Sequence, residues 1–448
     1  MMFARQITTQ FVNNLRRTDE RHLPFTADTQ GQENGIINLY PQRLYQKIYG
    51  FGGAFTDSAG YVFSLMPEEL RRQFLCDCFS EKGLCYTWGR CPVDSCDFSL
   101  ECYAADDDPT DETLAHFSLD RPLRYSLPLI REAGQVAGRS IQLMLTPWSP
   151  PAYMKTNGSR IGGGRLRPEY AERWARYLCR YILALRELGL DVRLLSVQNE
   201  AKAAQTWDSC LYTAREEREF IEHYLAPQLS RAHLDDICLL IWDHNKERAY
   251  ERMSETLQSD AVRERVGGIA VHWYSGDHFE ALQMIRGEFP DKRMVFSEAC
   301  IEYLHVKDQG QLRNARMYAH EMIGDFNAGV DTFLDWNLLL DERGGPNHVG
   351  NYCDAPILYD TRDGRLIHNL SYDYIGHFSR YIRPGAQRIG FSRCDGQAEL
   401  TAFRNPTGEL CVVALNPGSK DLSYCLRLQE QLCPFQLPSN AISTLVIE

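Results

Sequence analysis

Between residues 48 and 382 the chain alternates short apolar runs with longer stretches whose apolar positions recur at helical spacing. Eight runs can be counted, at 48–53, 85–90, 141–145, 192–197, 237–242, 268–272, 294–296 and 332–336. The stretches between them predict helices over 67–79, 122–137, 168–188, 213–229, 277–287 and 312–327. Pro67, Pro122 and Pro168 stand where a helix tolerates proline, in its first turn. Strand–helix alternation repeated eight times predicts an α/β fold of the (β/α)8 TIM-barrel type. A doubly wound open sheet gives a similar alternation, but no GxGxxG or GxxxxGK[ST] segment supports a nucleotide site.

After about residue 384 the period changes. Segments 400–404, 410–415, 422–428 and 441–447 alternate at a period of two, separated by turns such as Asn405-Pro406-Thr407-Gly408 and Asn416-Pro417-Gly418-Ser419. The first 45 residues lack helical spacing and are expected to add strands to the same unit. The predicted organisation is a barrel over 46–383 and an antiparallel β-sandwich assembled from 1–45 plus 384–448.

Composition narrows the function classes. Hydrophobic residues make up 44% and charged residues 24% of 448, as in ordinary globular proteins. No window approaches the ~18 apolar residues of a membrane span, and residues 1–10 lack a signal-peptide pattern. A net charge of −12 argues against nucleic acid or an anionic membrane as partner. The run Asp106-Asp107-Asp108 reads as a solvated loop. Fifteen cysteines, an odd number without zinc-finger spacing, read as reduced core thiols in a cytoplasmic protein.

At the C-terminal ends of the predicted strands stand Arg90, Trp148, Asn199, Glu200, Asp243, His272, Tyr274, Glu298, Trp336 and Asn337. That is the end where a (β/α)8 barrel carries its functional groups. Glu200 and Glu298 lie 98 residues apart, after strands four and seven, and two carboxylates across a cleft suit glycosidic bond cleavage. Glu200 is expected to act as acid, with a pKa raised by burial and by the second carboxylate. Glu298 is expected to act as nucleophile. Asn199 can donate to a sugar hydroxyl, and Asp97 and Asn337 offer further planar polar partners. Trp148 and Trp336 can stack on the C–H face of a sugar ring. Tyr274 can hold the nucleophile, His272 can serve the site or fill the core, and Cys300 reads as packing. No HExxH or metal-ligand spacing is present, and this chemistry needs no metal or other cofactor.

Taken in order, 50–57, 95–99, 146–150, 154–158, 268–274, 297–300, 335–337 and 376–379 resemble glycoside hydrolase family 30, in particular its glucosylceramidase branch. The resemblance implies a retaining β-glycosidase on a barrel plus sandwich. By motif, Glu200 takes the acid/base place and Glu298 the nucleophile place. Asp97, Trp148, Asn199, Trp336 and Asn337 match positions that hold the glucosyl unit; Arg90 and Tyr274 match positions that support the glutamates. One departure is Ala201, where the family usually has proline after Asn-Glu, so a looser turn is expected there. Residues 205–210 resemble bacterial rather than animal members, which places Trp207 on the aglycone side and leaves ceramide preference open. The implied partner is a small glycoside or glycolipid. Relatives in the same family cleave β-1,6-glucans, β-xylosides or β-fucosides, and a catalytically silent sugar-binding barrel is the alternative of a different class.

Overall fold

The computed structural model describes residues 2–303 and 310–448. Eight parallel strands close into a barrel: β1 (Gly50–Ala54), β2 (Trp88–Val93), β3 (Gln142–Pro147), β4 (Asp191–Ser196), β5 (Cys238–Asn245), β6 (Val266–His272), β7 (Arg293–Glu298) and β8 (Thr332–Asn337). The barrel closes between β8 and β1, with Thr332 opposite Gly50 and Phe333 opposite Phe51. The approach of β1 to β2 demands glycine at one point: a Cβ on Gly52 would sit 1.9 Å from the Trp88 carbonyl oxygen.

Side chains two apart on a strand share a face, and the barrel interior uses that period. Trp88, Met144, Leu194, Leu240, Ala270, Val295 and Leu334 form one buried apolar cluster. Two residues further along six of those strands come Arg90, Thr146, Ser196, His272, Ser297 and Trp336. The interior thus changes from apolar to polar in a single step. Strand β5 breaks the period. Trp242 and Asp243 take φ values of 73° and 47°, and the pairing with β6 jumps from Trp242 to His244. This bulge sends Trp242 into the helix-facing core and frees Asp243 to enter the polar layer.

The helices follow the expected places with local changes that proline explains. The 122–137 stretch divides at Tyr125 into Asp120–Arg124 and Ser126–Ala137, where Pro128 has no N–H to donate to the carbonyl of Arg124, four residues before it. The 213–229 stretch starts with a Thr213/Glu216 capping box, then widens to a π turn over Ile221–Leu225 beside Pro227. Helices Asp57–Leu65, Ala249–Thr256, Asp260–Arg265 and Leu370–Ser379 were not expected.

Leu340–Asp341, Ile357–Asp360 and Arg365–His368 form a small three-stranded sheet, and the remaining strands form one ten-stranded sheet, mostly antiparallel, drawn from both ends of the chain. Its order runs Leu15–Pro24, Phe3–Val12, Ala441–Ile447, Leu410–Asn416, Glu399–Arg404, Gln387–Arg393, Ile36–Lys47, Leu422–Leu428, Gln431–Leu437, Thr26–Ala27. Ile36–Lys47 and Leu422–Leu428 are its one parallel pair among the described residues. The sheet folds over on itself, so that Gln431–Leu437 packs on Leu15–Pro24, and Leu39, Leu400, Val412, Leu426, Phe435 and Leu445 share a separate core. Among the described residues no helix is long and apolar enough to cross a membrane.

Candidate active site

Arg90, fully buried at the end of β2, organises the polar layer. Its guanidinium donates to Glu298 Oε2, to Asn199 Oδ1 at 2.6 Å, to Asp243 Oδ2 at 3.0 Å and to Thr146 Oγ1 at 3.3 Å. It also lies over the rings of Trp148 and Trp336, 4.7 and 5.4 Å from their centroids. The two indoles stack on each other at 5.1 Å with 21° between planes. A single cation therefore joins strands β2, β3, β5 and β7, Asn199 in the loop after β4, and the aromatic wall.

Glu298, the last residue of β7, accepts from Arg90 through Oε2 and from the Tyr274 hydroxyl through Oε1 at 2.9 Å. Glu200 follows β4 with φ of 45°. The turn expected to be loose without proline is held by backbone bonds. Glu200 N–H donates to the Asp243 carbonyl at 2.8 Å, and Ala201 C=O accepts from Tyr212 N–H at 2.8 Å. Glu200 Oε2 accepts from Gln205 Nε2 at 3.1 Å, while Oε1 lies 3.3 Å from His272 Nδ1 and 3.5 Å from His244 Nδ1. His272 Nδ1 is also 3.8 Å from Glu298 Oε1. Both carboxylates thus face one imidazole nitrogen, and those two oxygens are no more than about 7 Å apart.

The raised pKa expected for Glu200 is corrected by these neighbours. Burial pushes its carboxyl up, but His244 and His272 outweigh burial and hold it well below the usual range. His272 shows the other side of the pair. Burial opposes its charge, yet Glu298, Asp243 and Glu200 together push its pKa up to about 9. These neighbours favour the charged imidazole beside an ionised Glu200. Asp243 fixes that ring: its carboxylate accepts from Ser297 Oγ at 2.6 Å, lies 3.0 Å from His272 Nε2, and is held low by Arg90 against the effect of burial.

Asp97 behaves in the opposite way. Burial, reinforced by the charge of Glu298, raises its pKa well above the ordinary value, and Asn351 donates to it at 3.2 Å. A neutral carboxyl can donate to a ligand hydroxyl as well as accept. Asn337, at the end of β8, is buried with neither amide atom hydrogen-bonded among the described residues. Trp207 packs against the cluster that contains Trp148, Trp336, Cys300 and Phe98. Its loop is tied down by Asp208, which takes Arg160 Nε at 2.7 Å and Ser95 Oγ at 2.9 Å. Cys300 is a buried thiol 3.3 Å from the Tyr274 hydroxyl, and burial raises its pKa well above the normal range.

The sequence-derived residues therefore gather at one end of the barrel. Arg90, Asn199, His272, Tyr274, Glu200 and Glu298 are linked directly, while Trp148, Trp336 and Trp207 supply the aromatic wall. Sequence reasoning missed His244, Gln205, Thr146, Ser297 and Asn351. Only the step of two from the apolar layer could have pointed to Thr146 and Ser297. His244 is aimed by the β5 bulge, and Asn351 comes from a distant loop.

A (β/α)8 barrel with paired carboxylates over an aromatic wall is the architecture of glycoside hydrolases. Two family descriptions match this chain: "Glycosyl hydrolase family 30 TIM-barrel domain" over residues 48–382 and "Glycosyl hydrolase family 30 beta sandwich domain" over 385–445. The chain belongs to glycosyl hydrolase family 30 and is a glycosidase. It is 32% identical to the lysosomal acid glucosylceramidase of Mus musculus over 405 residues, 86% of this chain and 78% of that one. The crystal structure of SrfJ from Salmonella typhimurium superposes with a TM-score of 0.95 at 39% identity, covering 99% of both chains. A solved endo-β1,6-glucanase gives 0.88 at 26% identity, again over 99% of both.

Proposed function

We propose that the protein is a retaining β-glycosidase that removes a terminal β-glucosyl unit from a small glycoside or glycolipid. The observation that carries this reading is the placing of Glu200 and Glu298 around one nitrogen of His272. Each carboxylate has partners suited to a different task. Glu298, fixed by Arg90 and Tyr274, attacks the anomeric carbon while the bond to the leaving oxygen breaks. Glu200 delivers the proton to that oxygen, drawing on the His272 proton 3.3 Å away as substrate displaces water. Water then attacks the glycosyl–enzyme, with ionised Glu200 as its base. In that state the charge of Glu298 is gone, which favours the ionised form of Glu200, and the proton taken from water returns through Glu200 to His272.

Asp97, Asn199 and Asn337 are assigned to the sugar hydroxyls, Trp148 and Trp336 to the ring face, and Trp207 to the aglycone side. The catalytic work is assigned to residues 46–383, with 1–45 and 384–448 as the side domain. Fifteen free cysteines, ten of them buried, support residence in a reducing compartment.

The test is a screen of aryl β-glucoside, β-xyloside, β-fucoside and β-galactoside, then a fluorescent glucosylceramide, with Glu298→Gln as control. Preferred turnover of the glucosides, lost in the control, is expected. A second reading, endo-β-1,6-glucanase, is favoured by the full-length superposition on that enzyme. Release of reducing ends from β-1,6-glucan with no turnover of aryl glucosides would replace the first reading by the second.

A further inference from the structure

The polar layer also presents a metal-donor set, two members of which the double displacement uses. Glu200, His244 and His272 each offer one ligand atom, and all three atoms lie within 4.8 Å of one another. Four donors at ~2.0–2.1 Å around a tetrahedral Zn2+ stand ~3.3–3.4 Å apart. The separations from Glu200 Oε1 to His272 Nδ1 and to His244 Nδ1 are 3.3 and 3.5 Å. Two edges of such a tetrahedron are therefore already formed.

The surroundings favour a dication. His272 Nε2 lies 3.0 Å from Asp243, the carboxylate–imidazole pairing that orients histidine ligands in metal sites. His244 is 8% exposed, and its Nδ1, on the Glu200 side of the ring, has no hydrogen bond of ordinary geometry among the described residues. That nitrogen meets only the Glu200 carboxylate, at 3.5 Å, which leaves room for an ion between them. Charge does not oppose it: Glu200, Asp243 and Glu298 carry three carboxylates against the Arg90 guanidinium and the His272 proton, and a bound cation displaces that proton. The three ligands end adjacent strands, β4, β5 and β6, so no local sequence motif records them.

We propose that Glu200, His244 and His272 form a binding site for a divalent transition cation such as Zn2+, and that its occupancy inhibits hydrolysis. The metal takes the Glu200 oxygen and the His272 nitrogen between which the acid proton passes, so the leaving group stays unprotonated. Two imidazoles and one carboxylate select Zn2+, Ni2+ or Co2+ over Mg2+ and Ca2+. The binding claim stands on geometry alone; only the inhibition rests on the hydrolase reading.

Calorimetric titration of the chelator-treated full chain with Zn2+, and a Co2+ titration followed by its visible ligand-field band, test the site. One ion per chain is expected, with loss of aryl-glucoside turnover that EDTA restores and no competition from Mg2+. His244→Asn, and His244→Phe, which keeps the ring that packs on Trp242, should weaken binding by at least the ~10–100-fold that loss of an outer-shell partner brings. Each variant is compared with its own metal-free rate. Equal affinity in wild type and both variants, a thiolate-to-cobalt charge-transfer band, or full occupancy with unchanged turnover would overturn the proposal. A metal-free enzyme inert on every glycoside, yet binding Co2+ as described, would instead remove the hydrolase reading and leave the site.

Discussion

Two glutamates of the same chemistry are separated here by their partners. Glu298 meets a guanidinium and a phenol, Glu200 two imidazoles and an amide, and that difference decides what each substitution should do. Glu200→Ala should slow glycosides with poor leaving groups by ~10²–10⁴-fold while aryl glycosides with activated leaving groups lose much less. Equal losses for both substrate types, in steady-state kinetics, would remove the acid role. Glu298→Ala should abolish turnover, and azide should then restore a product of inverted anomeric configuration, read by NMR; retained configuration would contradict the nucleophile assignment. Arg90→Ala leaves Asp243 and Glu298 buried without their cation, so urea unfolding should show a loss of ~3–5 kcal/mol. Much of this residue-scale site was legible, because strand-end position alone selects Arg90, Asn199, Glu200, His272 and Glu298. What stayed hidden is protonation. The expected high pKa of Glu200 followed from burial, and only coordinates reveal that His244 and His272 oppose it.

Elements were legible where their apolar content is continuous, as in all eight barrel strands. They were not legible where a non-local contact overrides local spacing. The Trp242–His244 bulge is set by pairing with β6, and Gly60 in the unexpected helix Asp57–Leu65 serves close packing on the Tyr125 backbone. Strand Gln431–Leu437 carries Pro434, which argues against a strand when read alone. Tight pairing also makes a prediction. Gly52→Ala drives a Cβ into the Trp88 carbonyl, so β1 and β2 must separate. The loss should reach or exceed the ~1–3 kcal/mol of an overpacked core, measured as a lowered urea midpoint. Unchanged stability would mean that the barrel can widen at that seam. Thr213→Ala, which removes only an exposed cap, should lose about 1 kcal/mol.

At the scale of the whole molecule, two histidines join the barrel helices to the terminal sheet with opposite titration. His320, on helix Gly310–Ala328, places Nδ1 2.7 Å from Glu399 of the sheet and Nε2 3.1 Å from Asp277 of the barrel. The hydrogen bond to Glu399, against some burial, pushes its pKa up to about 9. His377, on helix Leu370–Ser379, lies between Thr444 and Thr9 at 2.8 and 2.9 Å, and burial, aided by Arg380, brings it down to about 3. An unfolded histidine titrates near 6.5. Above that pH the unfolded chain has lost the proton that folded His320 keeps, so the His320 contribution declines as pH rises from ~6.5 through about 9. Below it the unfolded chain gains a proton that folded His377 refuses, so stability declines as pH falls from ~6.5 towards about 3. The acid slope from His377 can reach ~1.4 kcal/mol per pH unit, whereas His320 is 39% exposed and solvent screening makes its slope shallower. Urea unfolding of wild type, His320→Gln and His377→Gln across this range should show the alkaline limb flattened in the first variant and the acid limb in the second. Limbs parallel to wild type in both would mean that barrel and sheet are held together without these protons.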